Sequence, residues 1–122
     1  MFPESDAPNH PAVLRQAFDA EIAAAVCLYG EGRLDDAFRH LERAHVLGQR
    51  RVRPHVLAHW WMLKIGLKRR SWPETWGQLI RIPLGAVGSA LGIVPTGNTG
   101  GTNIGMFQRL PVEPAIRRLL DD

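Results

Sequence analysis

The chain has 122 residues, of which 45% are hydrophobic, and a formal net charge of +3. This length suits one domain, and this hydrophobic content excludes wholesale disorder. The single cysteine, Cys27, excludes an internal disulfide framework and a cysteine-rich zinc module. No apolar run approaches the ~20 residues of a membrane span, and residues 1–10 lack the features of a signal peptide. We therefore expect a cytoplasmic protein that does not associate with membranes.

The first half of the chain predicts two helices that follow a flexible leader. Residues 1–10 contain two prolines and several polar residues, which is typical of a frayed terminus, and residues 11–122 are expected to form a single helical domain. The first helix is predicted to start at Pro11 and to end at Gly30. The second is predicted to run from Leu34 to Gly48, because apolar residues recur there at helical spacing between glycines.

The second half predicts two further helices and then a change of character. A third helix is expected from Pro54, and a fourth is expected after Ser71, which can cap its first turn. From Pro83 a glycine-rich cover segment, residues 83–109, is predicted, with one more short helix over Leu84–Leu91 and an ordered, irregular stretch after it. A short helix from Pro114 completes an all-α fold, whose four main helices are predicted to form antiparallel hairpins.

The charges are distributed unevenly along the chain. Residues 43–81 contain nine Lys and Arg residues but a single acid, Glu74. Such a segment can attract an acidic partner, and it supports one functional hypothesis: a non-catalytic helical interaction module with a basic face that binds an acidic protein or forms a homodimer. No groove-reading motif accompanies the charge, so we expect no specific nucleic-acid binding.

Two pairs of residues support a different hypothesis, a metal site. Glu42 and His45 are three residues apart on the second predicted helix, and His55 and His59 are four apart on the third. Each spacing places both side chains of a pair on one helix face. Because the link between the helices is short, we expect the two pairs to meet near it.

The sequence thus predicts a small metal-binding protein, with Glu42, His45, His55 and His59 as ligands and the potential to act as a metalloenzyme. A mixed imidazole and carboxylate set suits zinc or iron better than magnesium or calcium. It also permits copper, which we expect less than zinc or iron. The alternative is a buried polar network in which Glu42 pairs with Arg81 or Arg39 and the histidines cap helix ends or hydrogen-bond to carbonyls. No nucleotide is expected, because the glycine-rich GNTGGT lacks the Lys-Ser/Thr of a phosphate-binding loop.

Two resemblances accompany these patterns. The stretch AAAVCLYGEGRLDDAFRHLERAHVLGQ is similar to a tetratricopeptide-type helix pair, although no second copy follows it. The combination of LERAHVLGQ, HVLAHWWML, GQLIR and VPTGNTGGTNIGMF resembles a family of small bacterial proteins of unknown function. That resemblance implies no activity, but it implies that the glycine-rich segment is part of the domain.

Overall fold

The structure is a computed structural model that describes residues 10–121. Within this range the chain forms five helices and no strand. They are α1 (His10–Gly30), α2 (Leu34–Gly48), α3 (Val52–Lys68), α4 (Trp72–Leu91) and α5 (Pro114–Asp121). The predicted all-α class, with four main helices and a short C-terminal one, is confirmed. The predicted leader lies outside the described residues except for its last member, His10, which is already helical.

The helix ends follow from local chemistry. Asp35 and Asp36 occupy the first turn of α2, where carboxylates interact favourably with the exposed N–H groups. Pro73 lies in the first turn of α4, where its missing N–H has no intrahelical partner to lose. At the other end of α4, Gly92 adopts a left-handed conformation with φ 74° that terminates the helix.

The helices pack in sequence order, with the most extensive contacts between α1 and α2 and between α3 and α4. Two clusters of buried apolar residues form the core. One joins α1, α2 and α5 and contains Phe18, Ala44, Val46, Leu47 and Ile116; the other joins α1, α2 and α3 and contains Ala25, Ala37, Leu41, Met62 and Ile65. Although α1 and α4 have 21 and 20 residues, no helix in the described part of the chain is apolar enough to cross a membrane.

The predicted break at Pro83 is wrong. Helix α4 continues through this proline to Leu91, so Leu84–Leu91 is its second half and not a separate helix. A proline inside a helix removes the hydrogen bond to the carbonyl four residues earlier, here that of Leu79. Both Leu79 and Pro83 are exposed, so water can hydrate that carbonyl. The extension also places Ser89 in hydrogen-bond contact with His55 of α3 and with the carbonyl of Gln49, and such tertiary contacts offset the local penalty.

Residues 92–113 form an irregular segment that side chains of α4 and of the segment itself hold in place. Arg81 donates hydrogen bonds to the carbonyls of Gly100, Gly101 and Ile104. Asn98, which is 2% exposed, donates from Nδ2 to the carbonyls of Gly105, Met106 and Gln108. The segment is therefore tied to the helix by a guanidinium and closed on itself by a buried amide.

We expect Asn98→Asp to destabilise the protein by on the order of 3 kcal/mol, because a carboxylate would face three carbonyl oxygens with no proton to donate. The measurement is urea unfolding at pH 7. Asn103→Asp is the matched control, since Asn103 lies exposed in the same segment and should change the free energy of unfolding by less than about 0.5 kcal/mol. Equal stability of the two variants would contradict the role assigned to the Asn98 amide.

Candidate metal centre

Three histidines from two helices converge at the centre of the molecule. His45 comes from the last turn of α2, and His55 and His59 come from successive turns of α3. The Nε2 atom of His45 lies 2.9 Å from that of His55 and 3.0 Å from that of His59, and the last two are 3.2 Å apart. All three side chains are buried, with 3 to 6% of each residue exposed. Three ring nitrogens therefore point at one position.

The opposite nitrogen of each ring meets a hydrogen-bond acceptor. Nδ1 of His45 donates to the carbonyl of Asn98 at 2.6 Å, and Nδ1 of His59 donates to Oε1 of Gln78 at 2.5 Å. Nδ1 of His55 lies 2.6 Å from Oγ of Ser89. A carbonyl oxygen only accepts, so the first two rings must carry their proton on Nδ1.

The other two acceptors are oriented by their own partners. The Gln78 amide directs Nε2 at the carbonyl of Gly100 and at Oε1 of Glu74, which leaves Oε1 for His59. The Ser89 hydroxyl donates its proton to the carbonyl of Gln49, so its oxygen accepts from His55. Each neutral ring thus keeps an unprotonated Nε2, and three lone pairs face one another.

Burial keeps these rings uncharged. It lowers the pKa of His55 and of His59 from the ordinary 6.5 to about 4, and it lowers the pKa of His45 well below its usual value. At neutral pH none of the three carries a second proton that could bridge two Nε2 atoms. Lone pairs about 3 Å apart then repel one another unless a cation other than a proton lies between them.

A cavity of about 240 Å³ opens from this position. Its polar lining residues are the three histidines, Gln49, Arg81 and Asn98, and no carboxylate of the described residues lines it. Its other walls are mostly apolar and come from the second half of α4 and from the irregular segment; they include Leu84, Val87, Leu91, Ile93, Met106 and Phe107. The three histidines therefore lie at the wall of a cavity whose other lining is mostly apolar.

Glu42, the fourth predicted ligand, does not belong to this group. The group of potential metal ligands contains His45, His55 and His59, and Glu42 lines a separate cavity with Arg39 and Thr99. Three residues advance a helix by 300°, so Glu42 and His45 point about 60° apart, and this offset decides which of them enters the core. Partial burial raises the pKa of Glu42, and an interaction with Thr99 opposes that shift. The convergent group is accordingly three imidazoles, whereas the sequence suggested that Glu42 joins them.

The sequence analysis also missed the residues that orient the rings. Gln78 and Ser89 carry no motif, and their partners lie 19 and 34 residues away in the chain. Only the packing of α4 on α3 brings them to the histidines. Asn98 contributes a backbone carbonyl, which every residue has, so no side-chain pattern could have indicated its role.

The comparisons with known proteins place the chain in a family without adding a function. A family model described as a protein of unknown function, DUF3703, matches residues 12–120. The chain belongs to this family. No curated protein matches it, and no solved structure matches it. The family assignment carries no activity, so the chemistry of this DUF3703 protein depends on the three histidines and their surroundings.

The pKa values of the histidines predict how pH affects the metal-free DUF3703 protein. Because the folded pKa values of His55 and His59 lie near 4 and the unfolded values near 6.5, the unfolded chain binds more protons between these limits. Stability should be fully present above pH 6.5 and fall as the pH is lowered towards 4, by up to about 1.4 kcal/mol per pH unit for each histidine.

Urea unfolding between pH 7 and 5, in the presence of a chelator, measures this slope above the range where most carboxylates titrate. The variant His59→Gln should reduce the slope, because one titrating ring is gone. A free energy of unfolding that stays constant from pH 7 to 5 would show that the rings are not held neutral.

The approach of Gly100 to His45 generates a second prediction for the site. Gly100 has φ 85°, and an added Cβ would lie 2.6 Å from Cδ2 of His45. Gly100→Ala should therefore both strain the backbone and displace the ring, with a loss on the order of 1–3 kcal/mol. Gly105→Ala in the same segment is the control, because its Cβ would meet nothing closer than 3.8 Å. Thermal unfolding midpoints that are the same for the two variants would contradict the close approach.

Proposed function

We propose that this protein binds one divalent transition metal ion through Nε2 of His45, His55 and His59 and keeps a further coordination position open towards the cavity. The observation that carries the proposal is the pairwise separation of 2.9 to 3.2 Å between three Nε2 atoms whose Nδ1 protons are all directed elsewhere. Nitrogens that bind one Zn²⁺ tetrahedrally, at about 2.0–2.1 Å, lie ~3.3 Å apart. An outward movement of a few tenths of an ångström would accommodate the ion.

The ligand chemistry favours zinc among the candidate metals. Three imidazoles with a free fourth position are a set that catalytic zinc sites use. Non-haem iron sites commonly add a carboxylate to two histidines, and no carboxylate joins this group. Imidazole also binds copper, so a metal titration must compare the affinity for Cu²⁺ with that for Zn²⁺.

The surroundings suit a metal ion better than a purely structural histidine cluster. Each imidazole is oriented through Nδ1 by a neutral acceptor, as is usual for metal-bound histidines, and this arrangement places the Nε2 lone pairs together. A structural polar network would instead pair donors with acceptors, whereas here three acceptors meet. A bound metal ion would act as a Lewis acid at its open coordination position and would lower the pKa of a water coordinated there.

The test is a metal titration of chelator-treated protein. We expect one Zn²⁺ or Co²⁺ per chain by calorimetry, and for Co²⁺ the visible absorption of a four- or five-coordinate ion. His45→Ala should weaken binding at least ~100-fold, because it removes one of three ligands. His40→Ala, on the same helix but paired with Glu21 outside the group, is the matched control.

A third variant separates this ligand set from the one that the sequence predicted. Glu42→Gln should leave the affinity within ~3-fold of the parent if the three histidines alone hold the metal. Metal occupancy below ~0.1 per chain at saturating Zn²⁺, or His45→Ala binding as tightly as the parent, would refute the proposal.

A second candidate function, an interaction module, is favoured by one surface. The outer face of α4 presents Trp72, Trp76 and Ile80 with 55 to 64% of each residue exposed. The charged residues of α4, Glu74 and Arg81, both bond to the irregular segment. Exposed apolar area of this kind is typical of contact surfaces, including those of homodimers. Sedimentation at micromolar concentrations measures whether the parent protein forms a dimer. If the dimer contact uses this face, the Trp76→Lys variant should be monomeric under the same conditions.

A further inference from the structure

Every exposed residue of α4 is apolar. The two charged residues of this helix, Glu74 and Arg81, lie on its other side, where they hydrogen-bond to the irregular segment. The solvent-facing side of a helix in a globular protein normally carries charged or polar residues. We therefore expect the outer face of α4 to be covered. Ten residues form this face: Trp72, Pro73, Trp76, Leu79, Ile80, Pro83, Leu84, Val87, Ala90 and Leu91.

The apolar surface continues from α4 onto the irregular segment. Ile93 and Phe107 are 64% and 75% exposed, and they line the histidine cavity together with Leu84, Val87 and Leu91. We call these two residues and the exposed residues of α4 the α4 patch. A fully exposed aromatic side chain presents ~150–250 Å², so the nine large side chains of the patch, each 45 to 75% exposed, present on the order of 1,000 Å². This area exceeds the ~300–600 Å² of the largest patch on a typical monomer and suffices for the ~800 Å² that each partner of a stable dimer buries.

Side-chain size is distributed unevenly along the α4 patch. The first half of α4 exposes the indoles of Trp72 and Trp76, whereas its second half exposes only aliphatic side chains and a proline. Val87 follows Trp76 by 11 residues, which is about 20° from three full turns, so both side chains point in the same direction. Leu79 points about 60° to one side of Trp76 and Leu84 about 80° to the other. Trp76 and Val87 therefore lie along the middle of the patch, one at each end.

A second α4 that packs antiparallel to the first complements this distribution. Trp76 is four residues after the first residue of α4, and Val87 is four residues before the last. When the two helices overlap over their whole length, each Trp76 meets Val87 of the other copy, and each Trp72 meets Leu91. A parallel pair would place two Trp76 rings against each other and leave a gap between the two Val87 side chains. Because the patch is uncharged, it also meets its own copy without like-charge repulsion.

We infer that a second copy of this chain packs antiparallel on the α4 patch and that its Trp76 covers the apolar side of the histidine cavity by contact with Val87. The inference rests on the interaction surface proposed as the second candidate function, and it adds the partner, its orientation and the residue that it contributes. Each cavity of the dimer is then lined by three histidines of one chain and a tryptophan of the other. The contact itself does not require a bound metal.

The dimer contact covers the cavity without burying the free carbonyl of α4. Leu84, Val87 and Leu91 line the cavity, and Leu79 points to the opposite side of the patch. The Leu79 carbonyl, which Pro83 leaves without its helical partner, thus stays at the edge of the contact, where water reaches it. On the cavity side, an indole replaces water beside the three imidazoles and lowers the local dielectric, which strengthens the binding of a cation there.

Paired changes of side-chain size test the orientation. Trp76→Val leaves a gap opposite Val87, and Val87→Trp brings two indoles together, so each should raise the dissociation constant of the dimer at least ~10-fold in sedimentation experiments. The double variant Trp76→Val/Val87→Trp restores one large and one small residue at each contact and should return the constant to within ~3-fold of the parent. For the same reason, a mixture of the two single variants should form heterodimers, which native mass spectrometry detects.

The control is Trp60→Val, an exposed tryptophan of α3 outside the patch, which should leave the dimer unchanged. A double variant that dimerises no better than the weaker single variant would refute the antiparallel contact.

An isotope-filtered NMR experiment on metal-free protein measures the contact directly. Within one chain, Trp76 and Val87 are ~16 Å apart along the helix axis, too far for a nuclear Overhauser effect. A dimer of one labelled and one unlabelled chain should show such effects between the Trp76 indole and the Val87 methyl groups. Their absence from a dimer that Trp76→Lys dissociates would refute this inference and leave the proposed interaction surface intact.

An anionic lipid surface is the competing occupant, because Lys68, Arg69 and Arg70 are exposed just before α4. We expect the dimer to persist at high salt and to stay in solution when mixed with vesicles of phosphatidylcholine and phosphatidylglycerol. Flotation with these vesicles that salt or Trp76→Lys abolishes would assign the patch to lipid and overturn the inference. A parent chain that stays monomeric would overturn both this inference and the homodimer surface, and it would leave the metal site unaffected.

Discussion

Three hydrogen bonds that point away from the centre determine what the centre can do. The carbonyl of Asn98, Oε1 of Gln78 and Oγ of Ser89 each receive an Nδ1 proton from one imidazole. Since a neutral imidazole has one N–H, each of these contacts leaves the other nitrogen as an acceptor. Burial disfavours a second protonation near neutral pH, so three Nε2 lone pairs face one another, an arrangement that a bound cation would stabilise. The position and the electronic state of the site therefore follow from residues that do not touch it.

Helix α4 provides most of this outer support. Gln78 and Arg81 are three residues apart, and both donate to the carbonyl of Gly100, which keeps the irregular segment against the histidines. Ser89, about two turns beyond Arg81, joins His55 to the backbone of Gln49. The continuation of α4 through Pro83 is consequently a requirement of the site, because a helix that ended there would not bring Ser89 to His55.

The cavity has one polar end, at the three histidines, and mostly apolar walls beyond it. One end is lined by the three histidines together with Gln49, Arg81 and Asn98, and the walls beyond are mainly aliphatic. Five of these wall residues are themselves 51 to 75% exposed, so the cavity is open to solvent on its apolar side: Leu84, Val87, Leu91, Ile93 and Phe107.

The sequence by itself determined the number and approximate positions of the helices, except for the second half of α4, and it determined how His55 and His59 are arranged. Glycines and prolines at the helix ends act within one turn, and the spacing of His55 and His59 fixes a shared face without help from the rest of the chain. Tertiary structure alone decided which neighbours that face meets. The orientation of α2 directs His45 inward and places Glu42 at another cavity. Gln78 and Ser89 reach the rings through contacts with histidines 19 and 34 residues away in the chain. Such choices depend on how whole helices pack, because a side chain's partner across an interface is set by the orientation of both elements and not by local spacing.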